Sequence, residues 1–117
     1  MTKISILGCG WLGFPLAKAL LLKGFSVKGS TTSSEKLATL EKAGITPFLI
    51  TLSENKTTGN VTDFLENSEI LIIDIPPKLR GSEKENFVAK IKNVIPFIEN
   101  SSIKNVLFIS STSVYND

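Results

Sequence analysis

The sequence predicts an α/β fold in which helices cover both faces of one parallel β-sheet. Short apolar runs alternate with helical patterns along all 117 residues, without repeats or low-complexity segments. One run, Ile70 to Ile75, has the apolar character of a strand that is buried on both faces. With 42% hydrophobic and 21% charged residues, the chain has the composition of one ordinary folded domain, so we expect residues 1–117 to form a single unit.

The first half of the chain alternates three strands with two helices. Strand 1 ends at a glycine, and the helix after strand 2 follows a Thr32 and Glu35 pair that has the spacing of a capping box. The predicted elements are strand 1 (Ile4 to Leu7), helix 1 (Leu12 to Lys23), strand 2 (Phe25 to Ser30), helix 2 (ending at Gly44) and strand 3 (Pro47 to Leu52).

The second half continues this alternation after a polar loop, Ser53 to Asn60. Its long helix has one apolar face, and Pro96 is expected to kink or interrupt that helix. Right-handed crossovers then give a doubly wound sheet of strand order 3-2-1-4-5, with helices 1 and 2 on one face and the later helices on the other. The predicted elements are a short helix (Val61 to Asn67), strand 4 (Ile70 to Ile75), the long helix (Phe87 to Ile98) and strand 5 (Asn105 to Ile109), before a polar segment from Ser110.

The turn between strand 1 and helix 1 has the pattern GxGxxG. In a dinucleotide-binding fold the first glycine permits a tight turn, the second lets the backbone approach a pyrophosphate, and the third lets the helix pack close to the strand. The helix N-terminus attracts the phosphates. This context predicts a Rossmann-type site whose cofactor-binding residues are Gly8, Gly10, Trp11, Leu12 and Gly13. A methyltransferase that uses S-adenosylmethionine is less favoured, because its strand 1 normally carries an acidic residue and Ile4 to Leu7 has none.

The end of strand 2 bears on the choice of cofactor. Proteins that bind NAD usually place a carboxylate there for the ribose hydroxyls, whereas this chain has no carboxylate before Glu35. The hydroxyls of Ser30, Thr31 and Thr32, with Lys28 or Lys36, are suited to a 2′-phosphate instead. The sequence therefore favours NADP, with NAD as the alternative, and the same hydroxyls are also expected to cap helix 2.

Composition excludes several other classes of function. The chain has no His and a single Cys9, so it lacks a Ser-His-Asp or Cys-His pair, a credible metal site and an internal disulfide. Twelve of its thirteen basic residues are scattered lysines, which argues against nucleic acid as a partner. The apolar N-terminal stretch is interrupted by glycines, Pro15 and Lys18, so neither a signal peptide nor a membrane span is expected. We expect a cytoplasmic protein.

The segment Val106 to Tyr115 resembles the strand-5 signature of the extended short-chain dehydrogenases/reductases, in which Ser-Ser-x-x-Val-Tyr closes that strand. The turn Gly10-Trp11-Leu12-Gly13 is similar to the same family's glycine motif. The resemblance covers essentially the whole chain and implies an NAD(P)-dependent reductase, epimerase or dehydratase. It places Ser111 at the position of the catalytic Ser/Thr, although Ser110 to Thr112 also suit a simple strand-end cap.

Departures from the family pattern affect both ends of the predicted site. Asp74-Ile75-Pro76-Pro77 replaces the small residues usual beside the nicotinamide ribose, and we expect Pro76 to contact the cofactor. Asp74 is also placed to form a loop ion pair with Lys78 or Arg80. The Tyr-x-x-x-Lys pair that the family uses for proton transfer is absent from the 117 residues, so by themselves they are expected to show no turnover.

Two functions follow as hypotheses. The first is the NAD(P)-binding part of an oxidoreductase or epimerase that transfers hydride at a carbinol or ketone carbon of a small-molecule substrate. The alternative is a non-catalytic NADP-binding sensor or regulatory module. Assembly as a homodimer is expected in either case, through the helix face of Phe87, Ile91, Val94 and Ile98 or through the edge of strand 5.

Overall fold

The structure is a computed structural model that describes residues 2–8, 13–52, 57–74 and 91–109. Five strands form one sheet in the order β3-β2-β1-β6-β7, and every neighbouring pair is parallel. This is the predicted order 3-2-1-4-5, which is confirmed. The strands are β1 (Lys3–Leu7), β2 (Ser26–Thr31), β3 (Thr46–Leu49), β6 (Ile70–Ile73) and β7 (Asn105–Phe108).

Helices cover both faces of the sheet, because side chains that alternate along each strand are apolar on both faces. Along β1, Ile4 and Ile6 pack on one face while Ser5 and Leu7 point to the other. Helices α1 and α2 pack on the first face, and α3 and α4 on the second, as predicted. The helices are α1 (Gly13–Leu22), α2 (Lys36–Lys42), α3 (Val61–Leu65) and α4 (Ile95–Glu99).

The connection between β3 and α3 contains a hairpin that was not predicted. Strand β4 (Thr51–Leu52) pairs antiparallel with β5 (Thr57–Thr58), so the predicted strand Pro47 to Leu52 is divided between β3 and this hairpin, and Thr57–Thr58 lies in the predicted polar loop. Gly59 ends the hairpin with a φ of 115°, and a Cβ there would collide with the carbonyl oxygen of Leu49. The pairing lies at the C-terminal end of β3, beside the end of β2.

The predicted capping box of α2 was also wrong. Glu35 occupies the N-cap in a helical conformation, and no side chain caps the first turn. Instead, the Thr31 hydroxyl accepts a hydrogen bond of 3.1 Å from the Ser33 N–H, which forms a local turn before the helix. The helix begins at Lys36, after the turn that the hydrogen bond between Thr31 and Ser33 forms.

The apolar face expected to form a dimer contact belongs instead to the core. Val94 is 1% exposed, and Ile91 and Ile98 pack on the same core cluster, while Phe87 lies outside the described residues. Pro96 interrupts the helix as predicted: residues 91–92 are helical, residues 93–94 form a turn, and Pro96 lies in the first turn of α4. The amphipathic stripe therefore fixes the helix to the sheet.

No helix in the four described ranges has the length and apolar character needed to cross a membrane.

Candidate functional site

Chemically useful groups converge where the central strands end. Because β1, β2 and β6 are parallel, their carboxyl ends lie at the same edge of the sheet. Gly8 follows β1, Thr31 ends β2 and Asp74 follows β6. The start of α1 lies at the same edge, since Gly13 packs beside both Gly8 and Asp74. We define Gly8, Gly13, Ser30 and Asp74 as the turn cluster.

The first glycine of the motif needs the freedom that glycine provides. Gly8 has a φ of 93°, a conformation that other residues adopt only with strain. Its N–H donates a hydrogen bond of 2.8 Å to Oγ of Ser30, which is 2% exposed. Gly8, the first residue after β1, is therefore fixed to the neighbouring strand by a buried side chain.

The third glycine allows close contact between helix and strand. A Cβ at Gly13 would lie 2.6 Å from the carbonyl oxygen of Gly8, 3.1 Å from Oδ2 of Asp74 and 3.3 Å from Cγ2 of Ile6. The first of these separations is too short for any real Cβ. The close packing predicted for this glycine is confirmed, while Gly10, Trp11 and Leu12 lie outside the described residues.

Asp74 is the residue of the cluster that sequence reasoning did not assign to the site. It is 8% exposed, and its N–H donates a hydrogen bond of 2.8 Å to the carbonyl oxygen of Leu7, which continues the ladder between β6 and β1. Its carboxylate accepts a hydrogen bond from the Gly13 N–H at the start of α1. Burial raises the pKa of Asp74, and the Gly13 N–H opposes that effect.

The ion pair of Asp74 with Lys78 or Arg80 stays a prediction, although the Asp74 side chain is buried and bonded to α1 rather than exposed in a loop. Lys78 and Arg80 lie outside the described residues. The available signal was a carboxylate at the end of an apolar strand, in a segment where the resembling family has small residues.

The end of β2 presents fewer free hydroxyls than its sequence suggests. Ser30 bonds Gly8, and Thr31 is buried and accepts from the Ser33 N–H. Thr32 is exposed, as is Lys36 in the first turn of α2. The predicted site residues Pro76 and Ser111 lie outside the described part of the chain.

Lys28, the other cation considered for a 2′-phosphate, makes its hydrogen bonds to backbone carbonyls near α3. Its Nζ donates hydrogen bonds of 2.7 Å to the carbonyl oxygens of Asp63 and Glu66, at the C-terminal end of α3, and lies 5.7 Å from the ring centre of Phe48. Burial and the nearby Lys3 lower its pKa, against the opposing effect of the two acidic side chains. Lys28 therefore stabilises α3 through these contacts.

The described ranges contain no group of three or more Cys, Asp or Glu residues placed to hold a metal ion. The site instead has a positive-φ glycine, a helix that begins directly beside it, and hydroxyls at the end of the next strand. Together with the strand order, these features define a Rossmann-type α/β domain with its glycine turn at the carboxyl edge of the sheet.

Comparisons with known proteins agree with this fold. No protein-family model matches the chain. Protein YeeZ of Escherichia coli strain K12 is 31% identical over 118 aligned residues, which cover 100% of this chain and 43% of YeeZ. The chain thus spans less than half the length of the curated relatives that it matches.

Two solved structures share the architecture at lower identity. Vestitone reductase from alfalfa (Medicago sativa) superposes with a TM-score of 0.71 at 17% identity, over 92% of this chain and 36% of the reductase. The TrkA-N domain of the inner membrane protein ybaL from Escherichia coli superposes with a TM-score of 0.55 at 19% identity, over 97% of this chain and 90% of that domain. The resemblance to reductases with a Rossmann-type fold is therefore confirmed at the level of the fold.

Proposed function

We propose that residues 1–117 form the dinucleotide-binding domain of an NAD(P)-dependent oxidoreductase. The observation that carries this proposal is Gly8, the first glycine of the motif, which has a positive φ at the carboxyl edge of the sheet and is hydrogen-bonded there to Ser30 on the neighbouring strand. A turn fixed before any ligand arrives loses little conformational entropy on binding. The superposition on vestitone reductase supports the same assignment, because that protein is named as a reductase.

The proposed cofactor is NADP, and we assign residues to its diphosphate, its 2′-phosphate and its nicotinamide ribose. The diphosphate is expected at the turn of Gly8, Gly10, Trp11, Leu12 and Gly13, where backbone N–H groups and the helix dipole favour anions. For the 2′-phosphate we propose Thr32 and Lys36, because both are exposed beside the end of β2 and no carboxylate precedes Glu35. Pro76 is proposed to border the nicotinamide ribose.

The proposed chemistry is that of reductases and epimerases. A bound nicotinamide supplies or accepts a hydride at a carbinol or ketone carbon of a small-molecule substrate. Ser111, by resemblance, hydrogen-bonds the substrate oxygen and orients it, but a serine without an activating base is a poor proton donor. Because the 117 residues hold no Tyr-x-x-x-Lys pair, we expect them to bind cofactor and show no turnover. The lone Cys9 fits a reducing compartment, so we propose a cytoplasmic role.

Calorimetric titration with NADP⁺ and NAD⁺ tests the cofactor assignment. We expect micromolar binding of NADP⁺ by the wild type and none by Gly10→Val, because a side chain there blocks the approach of the diphosphate. Ala38→Val is the control, since Ala38 is exposed on α2 and the change adds the same kind of side chain away from the turn. A folded wild type that binds neither nucleotide contradicts the proposal. A preference for NAD⁺ of about tenfold contradicts the choice of NADP alone.

A non-catalytic sensor is the second candidate. The TrkA-N domain supports it, because this chain covers 90% of that domain and the fold therefore occurs as a compact domain of similar length. In a sensor, nucleotide binding would alter a protein contact. A Tyr-x-x-x-Lys pair in the polypeptide that carries this domain, together with nucleotide-dependent turnover, favours the oxidoreductase.

Self-association is proposed through β7. The helix face expected as the contact is buried, whereas β7 is the last strand in the described sheet order and its Leu107 is 53% exposed. Sedimentation velocity is expected to show a concentration-dependent dimer that Leu107→Lys weakens. Leu22→Lys, at an apolar position that is 90% exposed on α1, is the matched control. A monomer at every concentration contradicts this proposal.

A further inference from the structure

The buried carboxylate of Asp74 has no role in the function proposed above. It lies at the end of β6, 8% exposed, and accepts a hydrogen bond from the first N–H of α1. One of its oxygens, Oδ2, comes within 3.1 Å of the position that a Cβ of Gly13 would occupy. The carboxylate is therefore packed directly against the first residue of the helix.

This contact places a negative charge where the proposed function requires a negatively charged ligand. The first N–H groups of a helix lack partners within the helix, and the helix dipole adds a partial positive charge at the same end. Both effects favour a bound diphosphate. In this chain one of these N–H groups already has an anionic partner, which belongs to the protein.

We propose that Asp74 is a specificity-determining residue whose carboxylate competes with the ligand's diphosphate for the first turn of α1. The inference rests on the proposed nucleotide-binding function. Ionised Asp74 caps α1 in the empty protein and weakens the binding of any ligand that brings a diphosphate to this turn. Neutral Asp74 leaves the helix N-terminus to the ligand. The ionisation state of one side chain thus sets nucleotide affinity.

Among the described residues, the surroundings of Asp74 are uncharged. The charge beside the start of α1 therefore changes with pH through the titration of Asp74 itself. Leu7 and Gly13, which bond Asp74, and Ile6 and Gly8, which lie beside Gly13, carry no ionisable side chain, and no charged side chain in the described ranges shifts the pKa of Asp74. Lys18, in the next turn of α1, is exposed. Lys78 and Arg80 are outside the described residues. Burial raises the pKa, so the carboxylate is neutralised at a higher pH than an ordinary aspartate, and affinity is expected to rise as pH falls.

Calorimetric titration of Asp74→Asn against the wild type tests this competition. Asparagine keeps the shape of the side chain and removes the charge, so we expect Kd for NADP⁺ to fall about tenfold near neutral pH. Adenosine 2′-monophosphate, which has no diphosphate, should bind both proteins equally. Glu66→Gln is the matched control, because Glu66 is exposed before β6, at the opposite edge of the sheet, and should leave Kd unchanged.

A pH series gives a second measurement that does not depend on the variant folding well. The diphosphate of NAD⁺ does not titrate near neutrality, so the wild-type Kd for NAD⁺ should fall as the pH is lowered from neutrality into the acid range where Asp74 is neutralised, and the Asp74→Asn curve should be flat. Equal affinities in the two proteins with flat curves overturn the competition and leave the proposed function intact. Failure of both proteins to bind either dinucleotide overturns both proposals. A gain in affinity that extends to adenosine 2′-monophosphate also contradicts the competition, because it would not depend on the diphosphate.

Discussion

Two buried serines on adjacent strands use the same hydroxyl chemistry for different purposes. Ser5 in β1 is 0% exposed, and its hydroxyl donates to the Phe64 carbonyl oxygen at 2.6 Å and lies 2.7 Å from the hydroxyl of Ser68. Ser30 in β2 is 2% exposed, and its hydroxyl accepts from the Gly8 N–H. One serine joins β1 to α3 and the segment after it, and the other fixes the glycine turn.

The two serines are equally buried, but only Ser30 lies beside the proposed nucleotide site. The partners of Ser5 lie in α3 and in the segment after it, away from the turn cluster. Ser102 extends this network by donating to the Ser68 carbonyl oxygen at 2.7 Å. The partner of Ser30 is a backbone group at the carboxyl edge of the sheet, where this fold binds ligands. We therefore expect substitutions at Ser5 to change stability alone, and substitutions at Ser30 to change nucleotide affinity as well.

The largest effect is expected at Gly13, where stability and function coincide. Gly13→Ala should reduce NADP⁺ affinity by about a hundredfold or more and lower the free energy of unfolding by roughly 1–3 kcal/mol, because the new Cβ collides with the Gly8 carbonyl oxygen and displaces α1. Titration and urea denaturation measure the two effects. Gly24→Ala should also lose stability, because Gly24 has a φ of 96°, but it should retain full affinity, since nothing lies within 4 Å of its Cβ position. Wild-type binding by Gly13→Ala would show that the helix start can move without consequence.

Ser5→Ala is expected to change stability alone. Removing the hydroxyl leaves the Phe64 carbonyl oxygen and the buried Ser68 hydroxyl each without one partner, so the free energy of unfolding should fall by about 1–3 kcal/mol. Urea denaturation with unchanged slope measures this loss. The Kd for NADP⁺ should equal that of the wild type, and a Kd change of tenfold would remove the distinction between the two serines.

Ser30→Ala is expected to weaken NADP⁺ binding by about tenfold, with a stability loss of about 1 kcal/mol. The Gly8 N–H loses its acceptor, so Gly8 is no longer fixed to β2 before the ligand arrives. Calorimetry and denaturation on the same preparation separate the two effects. Ser34→Ala, an exposed neighbour in the loop before α2, is the control. An unaltered Kd would show that the turn does not depend on β2.

The smallest effect is expected at Lys28. Lys28→Met should lower the free energy of unfolding by less than about 1 kcal/mol and leave the preference between NADP⁺ and NAD⁺ unchanged, because the ammonium group bonds carbonyls of α3. Since its pKa is lowered in the folded state, the unfolded state binds this proton more tightly, and stability should rise with pH in the alkaline range. The variant should lack that rise. Loss of the preference for NADP⁺ would instead indicate that Lys28 binds the 2′-phosphate.

Hydrophobic patterning predicted the parts of the fold that depend on burial. The apolar run of β6 indicated a strand that is covered on both faces of the sheet. The order of the strands followed from the rule that crossovers are right-handed. The hairpin of Thr51–Leu52 with Thr57–Thr58 was missed, because two residue pairs among polar neighbours carry almost no periodic signal. The face of Val94 was predicted as apolar, but the same stripe fits a core or an interface.

Side-chain partners in the candidate site were not predictable from sequence. A serine at the end of a strand is equally suited to bind a phosphate, cap a helix or accept from a backbone N–H, and only the fold shows that Ser30 faces Gly8. Asp74 and Gly13 are distant in sequence, so their contact depends on β6 lying beside β1. The glycine spacing, by contrast, was informative, because Gly8 has a positive φ and a Cβ at Gly13 would collide with the Gly8 carbonyl oxygen.

The hydrogen bond between Ser30 and Gly8 also restricts how cofactor preference can be redesigned. A common way to favour NAD is to place a carboxylate at the end of β2, where it would accept from the ribose hydroxyls. At Ser30 such a change would put a bulkier, charged group into a buried position and alter the acceptor of the Gly8 N–H. Exchange of Thr32, which is exposed, avoids that interference. If the proposed NADP site is correct, Thr32, on the loop side of the strand end, is the position from which ribose selectivity can be altered without disturbing Gly8.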